Sequence, residues 1–430
     1  MNTIFFAIVL IAFAAAAWRE LGHVAVEGVQ SPMEALSAGM ISSASGAVEL
    51  AIGLVGVMTL FLGLMKVAEA GGLLTIIARL IRPLMTRLFP EVPPEHPAMG
   101  AMILNMSANA LGLGNAATPF GIRAMQELDK LNPNPGTATN SMALFLAINT
   151  SGVTLLPTGV IAIRAAAGSL DPAAILPTTL FATACSTIAA ILAVFAYRRF
   201  FPVGPADPEA LAMDRPWVAA VDNAQQLPEA SAYPLWVSIL GLACVAALIP
   251  ATIVWGRVIS PWILPTLMLG FLLFGLMRGV AVYESFVEGA KDGFNVALRI
   301  IPYLVAILVA VGMFRASGAM DYMVNVLGAL TSKVNLPPEA LPMALLRPLS
   351  GSGAYGVMAS IINDPAIGPD SYVGMLVTTI QGSTETTFYV LAVYFGAVQI
   401  RRIRHTLAAA LTADVAAVMG AVGICSYLFL

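Results

Sequence analysis

Gln381, Thr384 and Glu385 place an amide, a hydroxyl and a carboxylate at positions i, i+3 and i+4 of an otherwise apolar run. In a helix they share one face, with Phe388 next along it. A carboxylate in the middle of a span costs about 2.5–3.5 kcal/mol on insertion scales, so its presence there points to binding or proton transfer. The set suits a hydroxylated or heterocyclic solute held against an aromatic ring. The plainer reading is that Glu385 pairs with Arg347 or Arg315 and locks two helices together. A second polar set comes from the first half: Asn105, Ser107, Asn109 and Asn115, with Asn149, Ser151 and Thr154. Gly112, Gly114 and Pro119 break the helix there and predict a half-helix N-terminus near Thr118, whose positive dipole end attracts an anion. Ser350, Ser352 and Ser383 complete the candidate binding residues. The competing reading of all these small polar side chains is close helix packing, with each hydroxyl bonded to its own backbone.

Chemistry on a substrate is not expected. Ser350-Gly351-Ser352-Gly353 is no nucleophile elbow, since no strand precedes it and no suitable histidine follows. His23, His96 and His405 are isolated, and Cys185, Cys244 and Cys425 sit in apolar runs as small core residues. Neither a metal site nor a cofactor is expected, and the chain reads as a non-enzyme.

The elements that position these residues must be membrane helices. The 430 residues are 59% hydrophobic and 10% charged, with mean hydropathy +0.86, where soluble chains carry roughly a quarter charged residues. A net charge of −3 gives no basic surface for nucleic acid. The expected fold is an all-α polytopic membrane protein of about nine full spans, over 4–18, 42–66, 140–164, 175–197, 235–255, 259–277, 294–314, 372–399 and 406–428. The first is taken as a span, not a signal peptide, because no Lys or Arg precedes it. Segments 97–120 and 341–362 are too broken by Gly, Ser, Asn and Pro for ordinary spans and predict re-entrant half-helices.

The proline-rich, acidic stretch 201–233 separates two halves, 1–200 and 234–430. Pro93-Pro94-Glu95 matches Pro337-Pro338-Glu339, Gly63-Leu64-Met65 matches Val311-Gly312-Met313, and Ile148-Asn149 matches Ile380-Gln381, all in one order. Polar breaks at corresponding places in two halves are the mark of a midplane site in a repeat-built transporter. An odd number of crossings per repeat, with two joining spans, predicts inverted topology. Arg79, Arg82, Arg87, Arg123, Lys130, Arg198, Arg199, Arg278, Arg401, Arg402 and Arg404 then fall on one face, which the positive-inside rule makes cytoplasmic, together with the N-terminus. Arg79, Arg82 and Arg87 predict an amphipathic helix on that surface. Glu49, Arg164, Arg299 and Asp414 read as structural pairs or interface anchors, with proton coupling through one of them as the alternative.

Leu113-Gly114-Asn115-Ala116-Ala117-Thr118-Pro119-Phe120-Gly121 and Ala143-Leu144-Phe145-Leu146-Ala147-Ile148-Asn149-Thr150-Ser151 resemble the spore maturation A family. Arg347-Pro348-Leu349-Ser350-Gly351-Ser352-Gly353-Ala354 and Thr379-Ile380-Gln381-Gly382-Ser383-Thr384-Glu385-Thr386 resemble the spore maturation B family. The chain therefore looks like a fused A–B protein of the nucleoside-recognition, or gate, class of membrane domains. That class is similar to parts of concentrative nucleoside carriers, where a Gly-Gln-Thr-Glu run contacts the nucleoside. Here Gln381, Thr384 and Glu385 keep the residue types at altered spacing.

The leading expectation is a bacterial inner (plasma) membrane transporter or channel, with a midplane site between inverted repeats for a small polar solute, nucleoside-like solutes included. The alternative is a non-transporting membrane scaffold or assembly factor whose polar seam holds the halves together. Homo-oligomerisation stays open at this point.

Overall fold

The computed structural model describes residues 2–24, 30–112, 114–202, 232–320, 322, 326 and 331–430. Most of the expected 201–233 linker and the side chains of Asn115 and Arg299 lie outside the described residues. Among the described residues all regular structure is helical, with one isolated bridge between Thr137 and Arg402. The protein has an all-α polytopic membrane fold.

The first half begins with α1 (Asn2–Leu21) and α2 (Pro32–Ala70). Ser31 and Glu34 cap α2 reciprocally: Glu34 N–H donates to Ser31 Oγ at 3.2 Å and Ser31 N–H to Glu34 Oε2 at 2.8 Å. Gly72, at φ +85°, turns the chain into α3 (Leu73–Leu88), which leaves α2 at 69° and carries Arg79, Arg82 and Arg87. A hairpin follows, α4 (Pro97–Ala110) and α5 (Gly114–Lys130), turned at Gly112 with φ +75°. The next apolar run is split into α6 (Asn140–Thr150) and α7 (Thr158–Ala166). α8 (Leu176–Tyr197) closes this half.

The second half repeats the series. After α9 (Leu235–Met277) come the long α10 (Val282–Ala316), the short pair α11 (Leu341–Leu346) and α12 (Gly351–Ile362), the split run α13 (Tyr372–Ser383) and α14 (Thr387–Gly396), and α15 (Thr406–Phe429). The spans expected at 235–255 and 259–277 lie in one helical stretch of 43 residues. Its two ends return to the same corner: Gly241 packs on Leu80 of α3, and Phe274 on Gly71 just before α3. A straight helix rises about 1.5 Å per residue and could not touch both, so α9 doubles back as the two expected spans require. By length and composition alone, Pro172–Tyr197 and Thr406–Phe429 are apolar enough to cross a membrane, and the bent pair Met58–Ala70 and Leu73–Leu88 counts as a third.

Equivalent helices of the two halves pack against each other in opposite directions. On α2, Gly39 lies against Gly312 and Ala316 of α10, whereas Gly63 lies against Phe286 and Lys66 pairs with Glu288 at 3.5 Å. Likewise Gly420 of α15 meets Ala182 of α8, and Ser186 donates to the Ala413 carbonyl at 2.9 Å. The repeats are therefore inverted, as expected. Glycines make the α2–α10 approach close: a Cβ on Gly293 would sit 2.7 Å from the Met58 carbonyl oxygen and from Thr59 Cα. Without a hydrophobic drive between helices in lipid, such close contact supplies much of the attraction.

The two split runs cross at their breaks. Glu385 N–H donates to the Thr150 carbonyl at 2.9 Å, and Gly152, at φ +85°, presses on the Ser383 carbonyl and Thr384 Cα. Each break is also tied to its own half. Leu155 N–H donates to the Ala110 carbonyl at 2.9 Å, and Phe388 N–H to the Pro348 carbonyl at 3.0 Å. Main-chain groups freed by the breaks thus find protein partners, as burial in hydrocarbon demands.

Two substitutions test this packing by thermal melting in detergent. Gly293→Val is expected to wedge α2 from α10 and destabilise by about 1–3 kcal/mol, whereas Gly46→Ala, whose Cβ meets nothing within 4 Å, leaves the melting temperature unchanged or slightly raised. Gly152→Ala is expected to destabilise by about 1–3 kcal/mol, because it adds left-handed strain to a contact 2.8 Å from Thr384 Cα.

Candidate functional site

A cleft of about 950 Å³ opens beside the crossing of the two breaks, at the upper end of the range of small-molecule sites. One wall is the C-terminal half of α2 with α7 and the Leu156–Pro157 turn; the other comes from α10, α12 and the second break. Asn109, Thr154, Ser352, Gln381, Thr384 and Glu385 all line it. These residues come from four separate segments of sequence, and the fold brings them to one place.

Their geometry differs from the expected helical face. α13 ends at Ser383, and Thr384 is extended at φ −134°, ψ 169°. Gln381 therefore projects from the last helical turn, whereas Thr384 and Glu385 project from an extended segment. The polar break itself caused this, since Gly382-Ser383-Thr384 has weak helix preference and its backbone groups find partners outside the helix. Phe388 is not the aromatic wall, because it does not line the cleft; Tyr355 and Tyr389 do. The half-helix expected to begin near Thr118 begins at Gly114, with Pro119 inside its early turns.

The other expected residues have internal work. Asn105 is fully buried, donating to the Ala117 carbonyl at 2.8 Å and to Tyr394 Oη at 3.1 Å, and so clamps α4 to α5 and α14. Ser107 Oγ bonds the Ile103 carbonyl at 2.8 Å, Ser383 Oγ the Ile380 carbonyl at 3.2 Å, and Ser151 Oγ the Ile148 carbonyl at 2.7 Å with Thr187 alongside. Ser350 caps α12 by accepting from Gly353 N–H at 3.1 Å. Asn149 is 2% exposed and sits one hydrogen bond behind the cleft, accepting from Asn109 Nδ2 at 2.8 Å. The cleft thus reaches Gln381 but stops at Asn109. Arg164, taken as an anchor, is one: its guanidinium pairs with Asp370 at 2.8 Å and donates to the Pro369 carbonyl at 2.6 Å, fixing α7 to the loop before α13.

Arg347 is the cleft residue that sequence reasoning treated only as a candidate partner of Glu385. It is 5% exposed and lines the cleft. It donates to the Thr384 carbonyl and to Thr386 Oγ1, bracing the second break. Among the described residues it forms no ion pair, and neither does Glu385; Arg315 pairs instead with Asp364 at 2.8 Å. Its signal in the sequence was Arg347-Pro348, a cation in an apolar stretch just before a helix break. Four polar atoms of cleft residues lack a hydrogen bond of good geometry: both amide atoms of Gln381, Thr384 Oγ1 and Arg347 Nε. The Tyr355 hydroxyl is the one protein group that interacts with the Gln381 amide among the described residues. Lys66 stands toward the rim between Glu69 at 3.7 Å and Glu288 at 3.5 Å; exposed pairs of this kind contribute little to stability.

A family model described as nucleoside recognition, Gate, matches residues 51–198 and 297–401. Both matched stretches contain one split run and one re-entrant pair. The chain is 49% identical to spore maturation protein A of Bacillus subtilis over 162 residues, covering 37% of this chain and 83% of that protein. It is 45% identical to spore maturation protein B of the same organism over 166 residues, covering 39% of this chain and 92% of that protein. Inner membrane protein YjiG of Escherichia coli K12 is 29% identical over 87 residues, 20% of this chain and 57% of that protein. Matching inverted halves, split helices and a family model spanning both repeats lead to one conclusion: this membrane protein belongs to the Gate, or nucleoside-recognition, family.

Proposed function

We propose that the protein is a multi-pass inner-membrane carrier or channel for a small polar solute, nucleoside-like solutes included, and that the cleft beside the crossing breaks is its binding site. The observation that carries this reading is the set of unpartnered polar atoms at the cleft floor, Gln381 Oε1 and Nε2 and Thr384 Oγ1. A buried polar atom left without a partner costs about 1–3 kcal/mol, and at membrane depth the only remedies are water or a solute. Unpartnered atoms such as Asn105 Oδ1 occur in the scaffold too; what sets this group apart is that its residues converge on one cleft. Glu385 adds a carboxylate that is half-buried in the same cleft.

The cleft's rim residues, Lys66, Glu69 and Asp292, come from the end of α2 and the start of α10, next to the basic face of α3. The positive-inside rule makes that end cytoplasmic, so this conformation is open inward, with the N-terminus on the same side by the loop-charge count. The printed description of the family, nucleoside recognition, supports a heterocyclic solute. The names of the two Bacillus proteins describe a process in those proteins and leave the cleft chemistry to decide.

Thermal unfolding of the purified protein against nucleosides, nucleobases, amino acids and organic acids tests the reading. A solute present at a hundredfold its Kd is expected to stabilise by about 2.7 kcal/mol, and the same solute is expected to enter proteoliposomes. Absence of any stabilising solute across the panel would return the scaffold reading. In the same assay Glu385→Gln is expected to melt within about 0.5 kcal/mol of the parent, since Glu385 makes no ion pair, yet to bind the solute at least tenfold more weakly or to transport it without dependence on pH. Normal uptake by this variant at every pH would remove Glu385 from the mechanism.

A further inference from the structure

The inverted halves treat one pair of equivalent positions differently. Asn109 immediately precedes Ala110, whose carbonyl accepts Leu155 N–H; Arg347 immediately precedes Pro348, whose carbonyl accepts Phe388 N–H. Asn149 and Gln381 each lie in the final turn before a break. Asn109 with Asn149 is therefore the structural equivalent of Arg347 with Gln381.

In the first half the pair is closed. Asn109 Nδ2 donates to Asn149 Oδ1 at 2.8 Å, and Asn149 Nδ2 donates to the Phe145 carbonyl at 2.9 Å. In the second half the two residues are not hydrogen-bonded to each other. Gln381, 2% exposed, has only the Tyr355 hydroxyl near its amide and no hydrogen bond of good geometry, and Arg347 Nε is also without a partner. Arg347 cannot shed its proton. Buried Asp414, bonded to Thr387, acts on it electrostatically, but no direct ion pair is formed among the described residues, and a buried cation without a directly bonded counter-charge is costly. Glu385 lines the same cleft but forms no ion pair with it among the described residues.

We infer that the gap between Arg347 and Gln381 binds the oxyanion, carboxylate or phosphate, of a small organic solute. This deepens the carrier reading of the cleft and rests on it. A guanidinium fork matches the planar geometry of an oxyanion and holds it through charge-assisted bonds. The Gln381 amide donates to the same group, and Thr384 Oγ1 stands close by on the extended segment. The solute's anion thereby supplies in the second half what Asn149 Oδ1 supplies to Asn109 in the first. The rest of the solute extends into the cleft past Glu385, whose charge disfavours a second anionic group there and favours a hydroxyl, amide or amine donor.

The test is thermal unfolding of the full-length protein in detergent with succinate, uridine 5′-monophosphate, inorganic phosphate and uridine, with sodium chloride at matched ionic strength as reference. At least one of the first three is expected to raise the melting temperature well above the chloride reference, at concentrations where uridine does so at least tenfold less effectively. Succinate against the two phosphates separates the carboxylate from the phosphate form. Gln381→Leu, which leaves the bonds from Arg347 to Thr384 and Thr386 intact, is expected to weaken the anion effect about tenfold; Arg347→Gln is expected to abolish it and Arg347→Lys to keep part. Uridine stabilising as well as its monophosphate, with no loss in Arg347→Gln or Gln381→Leu, overturns the oxyanion assignment and leaves the carrier reading standing. No stabilisation by any of the four probes overturns the assignment, while the wider solute panel decides the carrier reading separately. An anion effect that survives both Gln381→Leu and Arg347→Gln moves the anion elsewhere and also overturns it.

Discussion

The centre of this molecule depends on main-chain hydrogen bonds exchanged at the crossing of two broken helices. Interrupting a helix at membrane depth frees several N–H and C=O groups, and lipid offers them nothing. Here the freed groups are claimed by protein: Glu385 N–H by the Thr150 carbonyl, Leu155 N–H by Ala110, Phe388 N–H by Pro348. The Thr384 carbonyl is claimed by Arg347, and the Ser151 carbonyl by Thr183 Oγ1 at 2.9 Å. Because these bonds join α6 to the α13–α14 break, and each break to its own re-entrant pair, no one of the four segments can move without the others losing partners. The irregular backbone is possible only as a set. Its location follows: it must lie where both halves can reach it, at the axis relating the inverted repeats.

Around that knot, packing is of two kinds. The α2–α10 and α8–α15 pairs are antiparallel contacts between equivalent helices, the first brought close by glycines on both partners. The cleft lies between α2 and the knot, lined on one side by ordinary apolar side chains such as Met58, Phe61 and Leu62 and on the other by the polar break residues. An apolar wall facing a polar floor suits a solute with a ring or hydrocarbon body and a polar end.

Much of this was legible in the residues. Polar interruptions at Asn149–Thr154 and Gln381–Thr387 located the breaks, because hydrocarbon makes such interruptions expensive. Repeated short matches gave the correspondence of halves, and the odd number of crossings per repeat, with which the cation placement agrees, gave the inversion. What the chain did not disclose was the partition between floor and scaffold. Asn105, Ser107, Ser151 and Ser383 have the same residue types as the cleft residues, and only three-dimensional position decides that their hydroxyls and amides turn to backbone carbonyls. The shared face of Gln381, Thr384 and Glu385 assumed a continuous helix, which the break excludes. Arg347 was visible as an isolated cation; that it shares a cleft with Gln381, makes no direct ion pair among the described residues and has Asp414 as its buried acidic neighbour depends on contacts between residues far apart in sequence.

The inequality of the two halves is what the inverted arrangement makes informative. Had both pairs been Asn–Asn, the halves would close symmetrically, the cleft would end at two satisfied amides, and nothing would distinguish a site from a seam. Replacing one asparagine of the pair by arginine and the other by glutamine lengthens both side chains and adds a charge that no residue of the pair can neutralise. Such a change would be selected against in a purely structural joint, since a well-packed apolar or amide pair is as stable or more so. On the anion proposal it is tolerable, because an anion held between the two side chains would supply the missing partner. The closed Asn109–Asn149 pair is then the fixed half of the knot, and the Arg347–Gln381 pair the half that the proposed anion would complete. The bonds of Arg347 to Thr384 and Thr386 hold the second break, so the proposed anion, held by that guanidinium, would act on the backbone crossing itself.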